Sequence, residues 1–272
     1  MKTGVVLGYQ TEMERDFQWC VENQIPTCQL SVPPELETRE TTQAIQKARQ
    51  ATGMEISALV GTWSGPNEWN FRHGPQTLGI IPIAYRDSRM KELLRCAQMA
   101  AELEIPAVCT HMGFIPENPG DGEYHSFLSA ARWLAERFRE YGVRLHFETG
   151  QETPVTLLRV MGDLGADNVG LNFDPANLLM YGKANPIDAL DIVGKYVGGV
   201  HAKDGMYPTS GYELGEEKPL GQGRVNFPAF LEKLRAVGYD GPLTIEREIS
   251  GEQQRRDVLA ANQMLLEWIG GM

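Results

Sequence analysis

The sequence predicts an α/β chain folded as one closed (β/α)8 barrel, a TIM barrel over residues 1–272 with its active site at the carboxyl ends of the strands. Three observations predict it. Short apolar runs alternate with longer segments of helical periodicity, eight times over, and strict alternation implies a parallel sheet with helices outside. The length of 272 residues suits a single barrel of about 250. Four successive strand-like runs, the fifth to the eighth, end in Glu148, Asp174, His201 and Glu246. Those side chains can converge only if their strands lie side by side and parallel. A carboxylate at the end of a buried strand is costly unless a metal, a cation or hydrogen bonds compensate it. A doubly wound open sheet is the runner-up, but no GxGxxG follows the first strand.

Taken in order, Thr3 to Tyr9 reads as the first strand and Thr11 to Gln24 as its helix. Pro26 to Val32 is the second strand, and Pro33-Pro34 then enforces an extended loop. A polar-faced helix from Thr38 to Thr52 is closed by Gly53, and Glu55 to Trp63 is the third strand. Residues 64–85 form the longest loop of the first half, with Trp69, Phe71, Arg72, His73 and Tyr85. Long structured loops are usually functional, so these aromatics are expected to cap the barrel mouth or touch substrate. Asp87 or Ser88 is expected to cap a helix running to Glu104.

Ala107 to Gly113 is the fourth strand, with His111 at its end. In the helix from Gly122 to Tyr141, Trp133, Leu134, Arg137 and Phe138 fall at helical spacing and are expected to form its buried face. The fifth strand carries Glu148, and Thr153-Pro154 opens the next helix as N-cap and N1. The sixth strand ends in Asp174-Pro175-Ala176-Asn177, and Asn185-Pro186 repeats the helix-opening device. The seventh ends at His201, before a Gly- and charge-rich loop over 204–225. A helix from Asn226 or Phe227 to Val237, a turn, the eighth strand Pro242 to Glu246 and a last helix from Ser250 to Trp268 complete the chain.

The formal net charge is −11. An acidic surface opposes nucleic acid and anionic membranes, both of which need a basic patch. Neither partner is expected, and a homo-oligomer is compatible with the sequence. Cys20, Cys28, Cys96 and Cys109 lack CxxC or CxH spacing and read as core fillers of a reducing cytosol. No secretory leader is expected, and no apolar run approaches the roughly 20 residues of a membrane helix, so the expected location is cytoplasmic.

In a barrel the carboxyl ends of all strands share one face, so Glu148, Asp174, His201 and Glu246 are expected to meet there. Three carboxylates and an imidazole form a hard, oxygen-rich set. It suits one divalent metal ion, Mn²⁺ first, with Mg²⁺, Co²⁺ or Zn²⁺ as alternatives. The absence of cysteine at these ends argues against structural zinc. A lone strand-end histidine is more often a satisfied polar residue, but four such side chains at successive ends outweigh that reading. The substrate-contact candidates are His111, Asn177, Lys203, Glu152 and Trp63. Gln151 and Glu152 serve either the site or the cap at Thr153, and Trp63 either stacks on a bound substrate or packs the barrel. Gly221-Gln-Gly223 either binds phosphate through loop amides or makes a turn. Arg247 is expected to pair with an acid such as Glu248 or Asp204.

Five stretches carry a family resemblance: Phe147-Glu-Thr-Gly-Gln-Glu-Thr153, Leu171-Asn-Phe-Asp-Pro-Ala-Asn-Leu178, Val200-His-Ala-Lys-Asp204, Leu220-Gly-Gln-Gly-Arg-Val-Asn-Phe227 and Gly238-Tyr-Asp-Gly-Pro-Leu-Thr-Ile-Glu-Arg247. On these the chain resembles the xylose isomerase-like superfamily of sugar isomerases and epimerases over essentially its full length. The resemblance implies a metal held by Glu148, Asp174, His201 and Glu246. It also implies that Glu148 and Glu246 flank the substrate carbon as the catalytic acid/base pair. The ketose 3-epimerase branch has a His three residues after the metal-binding Asp and an Arg six after the metal-binding His. Here those positions are Asn177 and Tyr207. Lys203 is placed to supply the missing cation, or to form a salt bridge with Asp204 or another mouth carboxylate.

The expected activity is that of a metal-dependent isomerase or epimerase acting on a sugar or related polyol ketone through an enediolate. A lyase of the inosose dehydratase type is the first alternative, and a non-catalytic sugar-binding subunit a remote one. An abasic-site nuclease of the superfamily needs a trinuclear zinc centre, for which five histidines, two of them at strand ends, are too few.

Overall fold

The computed structural model describes residues 1–271. Seven strands run in parallel around a barrel: β1 (Lys2–Gly8), β2 (Thr27–Val32), β3 (Glu55–Gly61), β4 (Ala107–Thr110), β5 (Arg144–Glu148), β6 (Val169–Phe173) and β7 (Val197–Ala202). A two-stranded hairpin, β8 (Asp204–Gly205) with β9 (Glu217–Lys218), interrupts the series. β10 (Pro242–Ile245) is the eighth barrel strand and closes the ring between β7 and β1. The strands are buried on both sides and therefore read as nearly continuous apolar runs. Leu30, Leu59, Val108, Leu145, Leu171 and Val200 are inaccessible to solvent.

Register sets the height of the site. Phe173 pairs with Val200, so one residue on, Asp174 stands level with His201. Ile245 pairs with Ala202, which puts Glu246 level with Lys203. Four helix starts are held where local chemistry places them. The side chains of Thr38, Thr153, Asn185 and Asn226 each accept a backbone N–H of the first turn. Gly53 closes its helix at φ +75°, the left-handed region that favours glycine.

Three local expectations are corrected. The helix expected from Asp87 or Ser88 starts at Ile83, after Pro82. Its first turns are secured by side chains rather than by a cap: Arg86 donates to the Ile80 and Ile81 carbonyls, and Arg89 to those of Thr77 and Gly79. Ser88 instead hydroxyl-bonds the Tyr85 carbonyl within the helix. In the helix Gly122–Glu140 only Leu134 and Phe138 of the four expected residues are buried; Trp133 is 44% exposed, with the Arg137 guanidinium over its ring. The indole stands about 100° around the helix from Leu134, on the margin of the apolar stripe. Alternation is also not strict. A short helix, Gly74–Thr77, lies in the long loop, and another, Pro175–Met180, precedes Pro186–Val193 in the sixth unit.

The four cysteines are buried and unpaired, as their spacing implied. Among the described residues no helix is long and apolar enough to cross a membrane.

Candidate active site

The four strand-end side chains meet. One ligand-type atom from each of Glu148, Asp174, His201 and Glu246 lies within 4.8 Å of all the others. His201 is the centre: its Nδ1 is 3.0 Å from Glu148 Oε1, 3.4 Å from Glu246 Oε2 and 3.5 Å from Asp174 Oδ2. Asp174 divides its work, since Oδ1 caps the helix Pro175–Met180 through the Asn177 N–H at 2.8 Å while Oδ2 faces the cluster. The His201 ring is held from behind by Gln29, whose Oε1 is 2.8 Å from Nε2. The Gln29 amide is itself oriented, because its Nε2 donates to Asn172 Oδ1. An Nε2 proton given to Gln29 leaves the Nδ1 lone pair aimed at the carboxylates.

The electrostatics ask for positive charge at this point. Burial disfavours an imidazolium, yet the charges of Glu148 and Glu246 outweigh it and raise the His201 pKa well above its ordinary value. Burial raises the Glu148 carboxyl, but His111 and His201 more than reverse that and hold it well below the usual range. Among the described residues, His201 Nδ1 and Asp174 Oδ2 are buried without a hydrogen-bond partner. Buried orphans are rare in folded proteins. Two at the focus of three carboxylates fit a divalent cation, and the O₃N donor set is of the right hardness.

Lys203 enters the same cluster. Its Nζ is 2.9 Å from Glu246 Oε2, 3.0 Å from Glu248 Oε1, 3.3 Å from Asn177 Oδ1 and 3.9 Å from Asp174 Oδ2. It pairs with mouth carboxylates and not with Asp204. Burial pushes Glu246 up, but Lys203 and His201 prevail and bring its pKa down to about 2. Asn177 links the groups, accepting from Lys203 and donating to Glu148 Oε1 at 3.5 Å.

Above the cluster lies a cavity of about 160 Å³ lined by Trp63, Trp69, His111, Glu148, Glu246 and Glu248 among others. Trp63 and Trp69 stand 6.4 Å apart, and Trp69 meets the His111 ring edge-on at 4.9 Å. His111 Nε2 is 3.4 Å from Glu148 Oε1, and its Nδ1 is 3.2 Å from Gln151, which in turn donates to the Tyr181 hydroxyl. Asn177 lines a small adjoining pocket with Tyr181 and Glu248. The long loop therefore both caps and lines the mouth: Phe71 packs edge-on against Tyr181, and Trp69, 44% exposed, forms a wall.

Two open expectations are narrowed here. Glu152 lines neither cavity; its carboxyl is buried, and burial lifts its pKa to about 7. Arg247 pairs with Glu217 at 2.7 Å and Asp257 at 2.8 Å instead of Glu248 or Asp204. Glu217 also accepts the Glu248 N–H, so hairpin β8–β9 braces the segment that carries Glu246. Sequence reasoning missed Gln29, Tyr181 and the role of Glu248. A glutamine inside the apolar run Cys28-Gln-Leu30 was the one available signal for Gln29.

A model of the xylose isomerase-like TIM barrel family matches residues 18–267. The chain belongs to this family. Its structure superposes on the crystal structure of a xylose isomerase domain protein from Planctomyces limnophilus with a TM-score of 0.91 at 33% identity, covering 98% of this chain and 96% of that one. A D-tagatose 3-epimerase-like protein shares the fold with a TM-score of 0.77 at 22% identity, covering 99% and 97% of the two chains. Inosose dehydratase of Lacticaseibacillus casei is 26% identical over 147 residues, 47% of this chain and 48% of that protein. The chain spans 58% or less of the length of the curated relatives it matches. Family membership thus agrees with the resemblance carried by the five sequence stretches.

Proposed function

We propose that this family member is a divalent-metal-dependent isomerase or epimerase of a sugar or related polyol ketone. The observation that carries the proposal is the convergence of Glu148, Asp174, His201 and Glu246 from four successive barrel strands beneath a tryptophan-walled cavity. These four residues would hold the metal, Mn²⁺ being favoured. When bound, it supplies Lewis-acid polarisation of the substrate's carbonyl and neighbouring hydroxyl.

The chain's own groups do the rest. Trp63 and Trp69 offer aromatic surface to the C–H face of a polyol. His111 and Asn177 present hydrogen-bonding groups around it, and the buried Lys203, which lines neither cavity, holds Asn177 and Glu246 in place. Glu148 ends β5 and Glu246 follows β10, strands that β6 and β7 separate, so they reach the cavity from different sides. One carboxylate takes the proton from the carbon next to the carbonyl. The C–H pair becomes the C=C bond and the carbonyl pair moves to oxygen, giving an enediolate. A proton passed from solvent through the other glutamate to the opposite face, while the first glutamate gives its own up to solvent, inverts that carbon, which is epimerisation. Return along one face to the neighbouring carbon is isomerisation.

Turnover in D₂O is expected to place deuterium, at least in part, on the carbon next to the carbonyl. Product formed without any deuterium from every tested substrate would mean internal proton return or a hydride shift, and would sink proton delivery from solvent through a second glutamate. The similarity to inosose dehydratase favours a second reading, in which the same proton removal is followed by expulsion of a β-hydroxyl as water. Loss of water from the substrate, read by mass, would move the assignment there. The wall contributed by the long loop has its own test. Trp69→Ala is expected to raise KM about 3–10-fold, the worth of one aromatic contact. An unchanged KM would leave Trp69 as a cap alone.

A further inference from the structure

We infer that Arg89 is a positioning residue for the tryptophan wall of the candidate active site, an inference that rests on the isomerase or epimerase reading. Arg89 lies in the second turn of the helix Ile83–Glu102 and lines neither cavity. It is nonetheless inaccessible to solvent. An arginine in that state is costly unless its guanidinium is fully hydrogen-bonded. Here the partners are carbonyls of the long loop that follows β3. Nη1 donates to Thr77 and Gly79 at 2.7 Å each, and Nη2 to Pro66 at 2.7 Å. Pro66 precedes Trp69 in the loop, and Thr77 and Gly79 follow it. One planar fork therefore ties both arms of the loop to a helix. Its face also serves, since Arg89 Cζ stands 5.2 Å from the ring centre of Trp63 and 4.8 Å from that of Tyr85. Trp63 lines the cavity, so a group outside the site fixes one wall by direct contact and the other through the loop.

Neighbouring contacts extend the clamp. Glu92, on the same helix, accepts from the N–H of Ser64 at 3.1 Å and from its hydroxyl. Within the loop, Thr77 Oγ1 accepts the Glu68 N–H at 3.0 Å and donates to the His73 carbonyl at 2.9 Å, so the arm that Arg89 holds is joined to the residue before Trp69. Past Gly79 the chain runs against the segment that follows His111. The Ile80 N–H donates to the Met112 carbonyl at 3.0 Å, and a Cβ on Gly79, at φ +66°, would collide with that carbonyl. A hydrophobic side chain at position 89 would fill the space but leave three carbonyls without these donors. Lysine would keep the charge, but its ammonium is a single point and cannot span the three carbonyls and stack on Trp63 at once. Trp63 and Trp69 would hold substrate alike before and during the reaction and carry no reacting proton. Loosening them weakens binding and spares the chemical step.

Arg89→Lys and Arg89→Met test this in the full-length protein supplied with Mn²⁺, on whichever free ketohexose, 3-keto sugar or inosose the native protein turns over. Both variants are expected to raise KM about 3–10-fold, the worth of an aromatic contact, with kcat held within about twofold. An arginine that serves only stability would lower Tm and leave the KM of the folded fraction unchanged. Unchanged KM in the folded variants therefore overturns the inference, as does a fall in kcat with KM unmoved. A double-mutant cycle with Trp69→Ala gives a second reading. Arg89→Lys is expected to raise KM by a smaller factor in Trp69→Ala than in the native background, and full additivity would overturn the route through the loop. Should Arg89→Met fail to fold, Arg89→Lys carries the test alone. Should no sugar of the panel react with the native protein, the isomerase reading is what fails, and hydrogen exchange decides the clamp. Arg89→Lys is then expected to speed exchange of the amides of 66–79 about tenfold or more, the worth of a hydrogen bond from a charged donor, while the barrel strands exchange as before. Equal exchange in the loop would overturn the clamp.

Discussion

Glu246→Gln is expected to lose at least about 100-fold in turnover, the low end for general acid–base catalysis, and still to bind metal. Glu246 and Glu148 both line the cavity, and Glu246 is the more open of the two, its side chain 16% exposed against 4%. Lys203 and His201 overcome its burial and bring its pKa down to about 2, so it is a carboxylate throughout the neutral range. A carboxylate of that kind is a weak base, and the proposed reaction would proceed because the substrate's C–H is acidified in the same site. The amide of glutamine has nearly the same shape and keeps an oxygen within reach of Lys203, but it cannot take up a proton. In the proposed site Glu148, Asp174 and His201 would remain as ligands, so elemental analysis is expected to find the metal in place. Glu148→Gln differs: Glu148 Oε1 is shared by His111 and His201, so that variant is expected to lose metal as well as rate. Full activity in Glu246→Gln would remove the two-glutamate mechanism.

The second large effect is on the metal itself. The native protein reconstituted with Mn²⁺ is expected to carry one ion per chain, and Asp174→Asn and His201→Ala to carry almost none. Asparagine is chosen at position 174 because Asp174 also caps the helix Pro175–Met180 through Oδ1. The amide oxygen preserves that cap while removing the charge, so the loss is read at the metal and not at the helix. Stability supplies an independent readout. An ion that binds only the folded state stabilises it by about 2.7 kcal/mol when its free concentration is about 100 times Kd. The native Tm is therefore expected to rise with added Mn²⁺ and to fall with a chelator, while neither variant responds. Absence of bound metal in the reconstituted native protein, with an unmoved Tm, would sink the proposed metal site.

The legible part of the molecule was the part that depends on near neighbours in the chain. Thr38, Thr153, Asn185 and Asn226 announce helix starts because a cap acts within three residues. The strands were legible because a parallel barrel buries them on both faces. The start of the helix at Ile83 was not, since Arg86 and Arg89 secure it by reaching back to carbonyls up to 23 residues away. Trp133 shows the limit of periodicity, which places an edge residue only to within the width of the apolar stripe.

The candidate site divides along the same line. By itself the sequence determined that Glu148, Asp174, His201 and Glu246 stand at the ends of consecutive strands, and parallel closure then leaves them no other place to meet. Only the tertiary structure decided where each side chain turns beyond the strand end. Gln29 holds His201 across 172 residues of chain, Glu217 draws Arg247 away across 30, and the amides of 205–225 fold around Asp204. A strand's alternation dictates a side chain's direction while the ladder lasts. Past its last pair, direction is set by whichever donors, acceptors and charges the folded chain brings within reach. Lys203 and Asp204 are adjacent in sequence, yet one points into the site and the other out of it.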